Sequence, residues 1–304
     1  MSEPRWIEVD APTVTLRGLR WEPRRAVGEV PIALCLHGFP DTAHGWRAVA
    51  PKLADAGWRV VAPFMRGYAP STIPSDGSYH IGAVMDDALQ VLKAVGPTGR
   101  DVVIGHDWGA GAAWGLAAAP ESRFARAVVM SFPVGPMFRP QRGIGIRRSL
   151  AALLPPQLLR FWYAPYFQLP WLPEQSASWV VPLLWRQWSR GYDATEDLRH
   201  VDAAIGSPES WRAALGTYRA NVRPGRAPKP YVGVDQWWQA PAKRPVLYMH
   251  GADDGCMTAK FADRVGGVLA PGGAVRVVDH AGHFLQLEQP DTVAGHILDF
   301  IGRG

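Results

Sequence analysis

The 304 residues contain only two cysteines, Cys35 and Cys256, too few for a disulfide framework. Cys35 sits inside the apolar run "IALCLHG" as a small buried hydrophobe, so both thiols are expected to be free in a reducing compartment. No apolar run approaches the ~18 residues that a bilayer span requires. The opening "MSEPRWIEVDAP" lacks the apolar stretch of an export signal. The chain therefore reads as soluble, unexported and cytoplasmic, with no membrane partner. Charge of one sign is not gathered into blocks either. The net charge of +5 and the pI of about 9.4 rest on scattered arginines, without zinc-finger spacing or an RNA-binding signature, which argues against a nucleic-acid partner. The nine histidines do not cluster with carboxylates or thiols as metal ligands do. The run "GAGAAWG" lacks the G-x-G-x-x-G spacing of a dinucleotide site. No metal and no cofactor are expected, and no internal repeat is visible.

What is present is alternation. Continuous apolar runs at 31–36, 60–63, 101–104, 127–132, 245–249 and 274–278 lack in/out alternation, as expected of parallel strands covered on both faces. Between them, "SYHIGAVMDDALQVLKAVG" puts Ile81, Val84, Met85, Ala88, Val91, Leu92 and Val95 on one helical stripe. Val293, Ile297, Phe300 and Ile301 form another. Strand and helix in alternation predict an α/β fold with a doubly wound, mostly parallel sheet, which holds ligands at the carboxyl ends of its strands. The pattern breaks between about 134 and 240, where eight of the 14 tryptophans fall. We expect a helical cap over residues 134–240, inserted between a first core part at 1–133 and a second at 241–304; a separate small domain is the alternative. The tryptophans suggest an apolar pocket.

Four stretches stand at predicted strand ends: "HGFPD" (37–41), "GHDWG" (105–109), "HGADD" followed by Gly255 (250–255), and "DHAGHF" (279–284). Gly105 and Gly109 permit a tight strand-to-helix turn that exposes Asp107 as a nucleophile. An acid and then a histidine follow in the chain, the order of the α/β-hydrolase triad. Asp254 is favoured over its neighbour Asp253 as the acid, and His283 over His280 as the base. "VVMSFPVG" offers no carboxylate after the preceding strand. His37 and His106 flank turns and read as structural hydrogen-bond partners. Aspartate in place of serine changes the target. A carboxylate, ionised near neutrality with an ordinary pKa of ~3.9, attacks an sp³ carbon in line and becomes an alkyl ester. The ester then supplies the carbonyl that a His283-activated water attacks.

The motifs "HGFP", "MRGY" (65–68), "GHDWG", "HGADD" and "GHFLQLEQP", in this order over nearly the whole chain, resemble the soluble epoxide hydrolases of the α/β-hydrolase superfamily. The resemblance implies hydrolysis of a small apolar epoxide by water to a vicinal diol. It assigns the oxyanion-hole N–H groups to Phe39 and Trp108, with the Phe39–Pro40 bond cis in relatives. The segments "FWYAPYFQLP" and "WRAALGTYRANVRP" resemble those carrying the family's two ring-opening tyrosines, which transfers the roles to Tyr163, with Tyr166 as its substitute, and Tyr218. Haloalkane or haloacid dehalogenation starts from the same aspartate. Haloalkane dehalogenases usually have asparagine where Phe39 stands, and fluoroacetate dehalogenases have arginine where Trp108 stands. A ligand-binding member without turnover is the remaining alternative, and a homodimer is left open.

Overall fold

The computed structural model describes residues 3–24, 28–138, 157–222 and 228–302. Its strands are β1 (Arg5–Asp10), β2 (Thr15–Trp21), β3 (Ile32–Leu36), β4 (Arg59–Pro63), β5 (Val102–His106), β6 (Arg126–Met130), β7 (Val246–Gly251) and β8 (Ala274–Val278). They form one eight-stranded sheet in the order β1-β2-β4-β3-β5-β6-β7-β8. β2 pairs antiparallel with β1 and β4, and every other pairing is parallel. This is the α/β-hydrolase fold that the strand pattern predicts. All six apolar runs are strands. β1 and β2 escaped the reading because they are half-exposed: β2 alternates partly and fully buried positions, so its apolar residues never form a run.

The inner strands β3, β5 and β7 are buried throughout, because helices cover both faces. Helices α1 (Ala50–Asp55), α2 (Ile81–Val95) and α3 (Trp108–Ala118) belong to the first part of the sheet. α2 buries the predicted stripe as far as Leu92, with Val95 partly exposed. α3 is buried along its whole length between β5, β6 and α2, which is why it is built almost entirely of Gly and Ala. The strand assigned from residue 101 begins one residue later, since Asp101 serves as a clamp. Its buried carboxylate accepts the N–H groups of Ile32, Thr98 and Gly99 at 2.7–3.1 Å, tying the start of β3 to the turn before β5.

Between β6 and β7 the described residues are helical: a turn at Tyr163–Tyr166, then α4 (Ala177–Trp188), α5 (Thr195–Ile205) and α6 (Pro208–Val222). Residues 139–156 and 223–227 of the expected cap lie outside the described residues. These helices meet the loops at the strands' carboxyl ends. The Trp185 indole N–H donates to the Pro40 carbonyl at 2.9 Å, and its ring stacks on Phe284 at 3.6 Å. The Trp188 carbonyl accepts the N–H of Gly255 and of His283, both at 3.0 Å. A Cβ on Gly255 would lie 2.0 Å from the Gln187 carbonyl oxygen, so glycine here is what lets α4 approach. The final helix, α7 (Pro290–Ile301), buries Val293 and Ile297 of the predicted stripe. No described helix is long and apolar enough to cross a membrane.

Candidate active site

Phe39, Asp107, Asp254 and His283 follow β3, β5, β7 and β8 respectively, so parallel pairing alone brings all four to one edge of the sheet. Asp107 occupies φ 50°, ψ −123°, a conformation that costs a non-glycine residue on the order of 1–3 kcal/mol. The turn is tight: a Cβ on Gly105 would lie 2.2 Å from the Gly109 carbonyl oxygen, and one on Gly109 2.3 Å from that of Leu36. Asp107 Oδ1 accepts the Phe39 N–H at 2.9 Å, and the Trp108 N–H also supports the carboxylate. Asp107 Oδ2 faces His283 Nε2 at 3.8 Å, beyond hydrogen-bond reach, and His283 Nε2 bonds to no other described group.

The opposite side of the His283 ring is held. Nδ1 donates to Asp254 Oδ2 at 3.0 Å. Asp254 Oδ1 accepts the N–H groups of Cys256 and Met257, each at 2.8 Å. His250, a residue of the "HGADD" motif to which sequence reasoning gave no role, puts Nε2 3.2 Å from Asp254 Oδ2. The Met257 carbonyl also lies 3.2 Å from that nitrogen, so two acceptors face it and it carries a hydrogen. Its Nδ1 then accepts from the Tyr248 hydroxyl at 2.9 Å. Nothing in the spacing of the sequence marks this buried pair. Asp253 and His280, the rivals of Asp254 and His283, are both exposed, whereas Asp254 and His283 are buried.

Burial opposes the charge on Asp254, but the His283 ring and the hydrogen bonds from His250 and His283 hold its carboxyl well below the usual carboxylate range. Burial likewise opposes a charged His283, and Asp254 first and Asp107 second overcome it and raise its pKa. For Asp107 burial wins: its pKa is raised against the pull of His283 and of the Phe39 and Trp108 N–H groups. His37 and His106 behave as hydrogen-bond partners of the backbone. His37 Nε2 accepts the Met65 N–H at 2.9 Å, which fits the pKa of about 4 that burial imposes on it. The His106 Nε2–H donates to the His283 carbonyl at 2.8 Å.

A cavity of about 290 Å³ opens on Asp107 and is lined by Trp108, Phe132, Tyr163, Tyr218, Trp238, Cys256 and Met257 among others. The Tyr163 and Tyr218 rings meet edge to face at 5.6 Å, and Tyr218 packs in the same way on Phe39 at 5.0 Å and Trp108 at 5.3 Å. Burial, with the charge on Asp107 among the further causes, raises both phenols well above the ordinary value, so both stay protonated as donors. Tyr166 does not line the cavity; it packs on Trp162 and Trp179. Of the eight tryptophans between 134 and 240, Trp238 alone lines it. Trp185, Trp188 and Trp211 are instead buried in packing, so the expected pocket is apolar, but mainly through other side chains. The Phe39–Pro40 bond is cis, and both cysteines are free and buried.

Asp254, Cys256 and His283 bring potential metal-binding atoms within 4.8 Å of one another. They fit a metal poorly. Both Asp254 oxygens already accept hydrogen bonds, and burial keeps the Cys256 thiol protonated, whereas a metal ligand must be the thiolate.

An aspartate on a strained turn after β5, a hydrogen-bonded acid and histidine after β7 and β8, and two backbone N–H groups on that aspartate match the arrangement of an α/β-hydrolase site. The family model for the alpha/beta hydrolase fold matches residues 31–290; the chain belongs to that family. It is 30% identical over 288 residues to the AB hydrolase superfamily protein YfhM of Bacillus subtilis, covering 89% of this chain and 90% of that one. It is 27% identical over 321 residues to Epoxide hydrolase A of Mycobacterium tuberculosis, at 89% and 90% coverage. The crystal structure of a candidate epoxide hydrolase from Klebsiella pneumoniae shares the fold at a TM-score of 0.79, with 22% identity over 98% of this chain and 97% of that one.

Proposed function

We propose that this protein is an epoxide hydrolase, working through an ester on Asp107, and that the helices between β6 and β7 form its cap. The observation that carries the reading is the pairing of an aspartate nucleophile with two protonated phenols, Tyr163 and Tyr218, in one apolar cavity. Asp107 Oδ2, the oxygen not held by Phe39, attacks an epoxide carbon. The ring C–O bond breaks, and its electron pair stays on the substrate oxygen, which takes a proton from a tyrosine. His283 Nε2 then removes a proton from water, and the hydroxide oxygen attacks Asp107 Cγ; the Cγ–O bond to the substrate breaks, and the two water protons end on the leaving diol oxygen and on the tyrosinate, leaving Asp107 ionised again. The Phe39 and Trp108 N–H groups stabilise the oxyanion; in other enzymes such a donor is worth about 2.7–4 kcal/mol. The relatives named epoxide hydrolases support the same reading.

The mechanism is tested by a single turnover in ¹⁸O-water. The first diol should be unlabelled and the Asp107 peptide should gain one ¹⁸O. A labelled first product with an unlabelled Asp107 means direct attack by water and overturns the ester. A second reading, dehalogenation, is favoured by one observation: the Trp108 indole N–H is buried at the cavity and makes no hydrogen bond of ordinary geometry, its weak contact being with the Tyr218 hydroxyl, so its hydrogen is available to a halide. A panel of aryl and alkyl epoxides, haloalkanes, fluoroacetate and an ester separates the two; halide release without diol formation would establish the second.

A further inference from the structure

A phenol that opens an epoxide must aim its hydrogen, and the Tyr163 hydroxyl has one hydrogen and two acceptor sites. Cys256 Sγ lies 3.4 Å from Tyr163 Oη, and both side chains are buried and line the cavity with Asp107. The cysteine is fixed from two sides. Its N–H donates to Asp254 Oδ1 at 2.8 Å, and its carbonyl accepts from Gln157 Nε2 at 2.7 Å. The sulfur is thus placed by the same loop that holds the acid of the triad, and it touches the hydroxyl of a phenol that lines the cavity together with Asp107 and Tyr218.

We propose that Cys256 is a positioning residue for Tyr163: its S–H donates to Tyr163 Oη and leaves the phenol hydrogen directed into the cavity at the epoxide oxygen. The inference rests on the epoxide-opening reading above. As the ring C–O bond breaks, the substrate oxygen takes the Tyr163 proton and the phenolate oxygen keeps the S–H hydrogen bond. The proton that His283 takes from water later balances the one that Tyr163 gave. Burial holds the thiol in its protonated form, so the S–H is there to donate throughout.

The test measures the alkylation rate in single turnover with styrene oxide, followed by tryptophan fluorescence, for wild type, Cys256→Ala, Cys256→Ser, Cys256→Val and Tyr163→Phe, with melting curves for each. Loss of the S–H bond in Cys256→Ala should slow alkylation about three- to tenfold, the scale of one net hydrogen bond, with KM nearly unchanged. Cys256→Val, which fills the space without a donor, should match it, and Cys256→Ser should restore the rate. In the Tyr163→Phe background, Cys256→Ala should have no further effect. Wild-type rates in the Ala and Val variants, or an equal slowing with and without the Tyr163 hydroxyl, overturn the proposal while leaving the enzyme an epoxide hydrolase. A wild type that opens no epoxide overturns the functional reading itself.

Discussion

Asp254→Asn isolates the second half of the proposed reaction. In the wild type, Oδ1 accepts two backbone N–H groups at 2.8 Å, while Oδ2 accepts from His283 Nδ1 at 3.0 Å and faces His250 Nε2 at 3.2 Å. An asparagine must keep its oxygen toward the Cys256 and Met257 N–H groups, because turning it would set an NH₂ against two donors and lose both bonds. The NH₂ then faces His283, whose Nδ1 must become an acceptor. The imidazole hydrogen moves to Nε2, and that nitrogen can no longer take a proton from water. In serine-hydrolase triads the same tautomer error costs about 10⁴ in rate. Attack by Asp107 needs no base, so alkylation should survive. The expected result is one equivalent of epoxide consumed per site without diol release, an adduct of substrate mass on intact protein, and ester hydrolysis slowed by about 10³–10⁴. Asp253→Asn, at the exposed neighbour, should leave turnover within about twofold of wild type, as surface changes usually do. Steady turnover by Asp254→Asn within tenfold of wild type would refute the tautomer argument. Loss of alkylation together with hydrolysis, in a folded variant, would refute the assignment of Asp254 to the second step.

Three further outcomes follow from the same geometry. Asp107→Asn removes a carboxylate whose pKa burial has raised. Such a group gives the fold more stability protonated than ionised, a contribution lost as pH rises from the ordinary carboxylate value through the raised one. The inactive variant should therefore melt above wild type at neutral pH, by about 2–4 °C per kcal/mol relieved, and the gain should shrink on acidification; an equal or lower melting temperature at neutral pH contradicts this. Arg66 donates two hydrogen bonds of 2.7 Å to buried Asp87, whose pKa burial pushes up to about 6 even with Arg66 beside it. Arg66→Met should cost about 3–5 kcal/mol in denaturant unfolding, and adding Asp87→Leu should recover much of it; a loss under 1 kcal/mol would mean the pair is not felt. Removing both phenols, Tyr163→Phe with Tyr218→Phe, should abolish epoxide opening while Tyr166→Phe leaves it near wild type; unchanged rates in the double variant would refute the ring-opening role.

The sheet and the positions of the loops that carry the candidate site were legible because both are written in local signals. Buried parallel strands read as runs, and turns that need small residues read as Gly-x-x-x-Gly. β1 and β2 were not legible as runs, since a half-exposed antiparallel edge spreads its apolar residues over alternate positions. His250 was invisible for another reason. It sits four residues before Asp254 in a buried strand end, and only the bend after β7 turns it back onto the carboxylate. Tryptophan density pointed to an apolar pocket without showing which indoles line it, because an indole that joins two layers and one that lines a cavity are alike in sequence. Trp185 and Trp188 spend their surface on Phe284 and the His283 loop.

One charge links the perturbations around the cavity. The anion on Asp107 helps raise the His283 pKa and is among the causes that raise the Tyr163 and Tyr218 phenols, while burial makes that anion costly to hold. In the proposed reaction the first bond to form discharges it. Once Asp107 is an ester, the negative charge has moved to the substrate oxygen beside the phenols, where it is taken up as a proton is given. At the same moment His283 loses one of the anions that favoured its protonated form and becomes readier to serve as neutral base. The step that makes the ester thus also prepares its hydrolysis. Asp107→Asn copies the neutral state, so the His283 imidazole, titrated by NMR, should show a lower pKa in that variant than in wild type. An unchanged or higher value would break the link between the two steps.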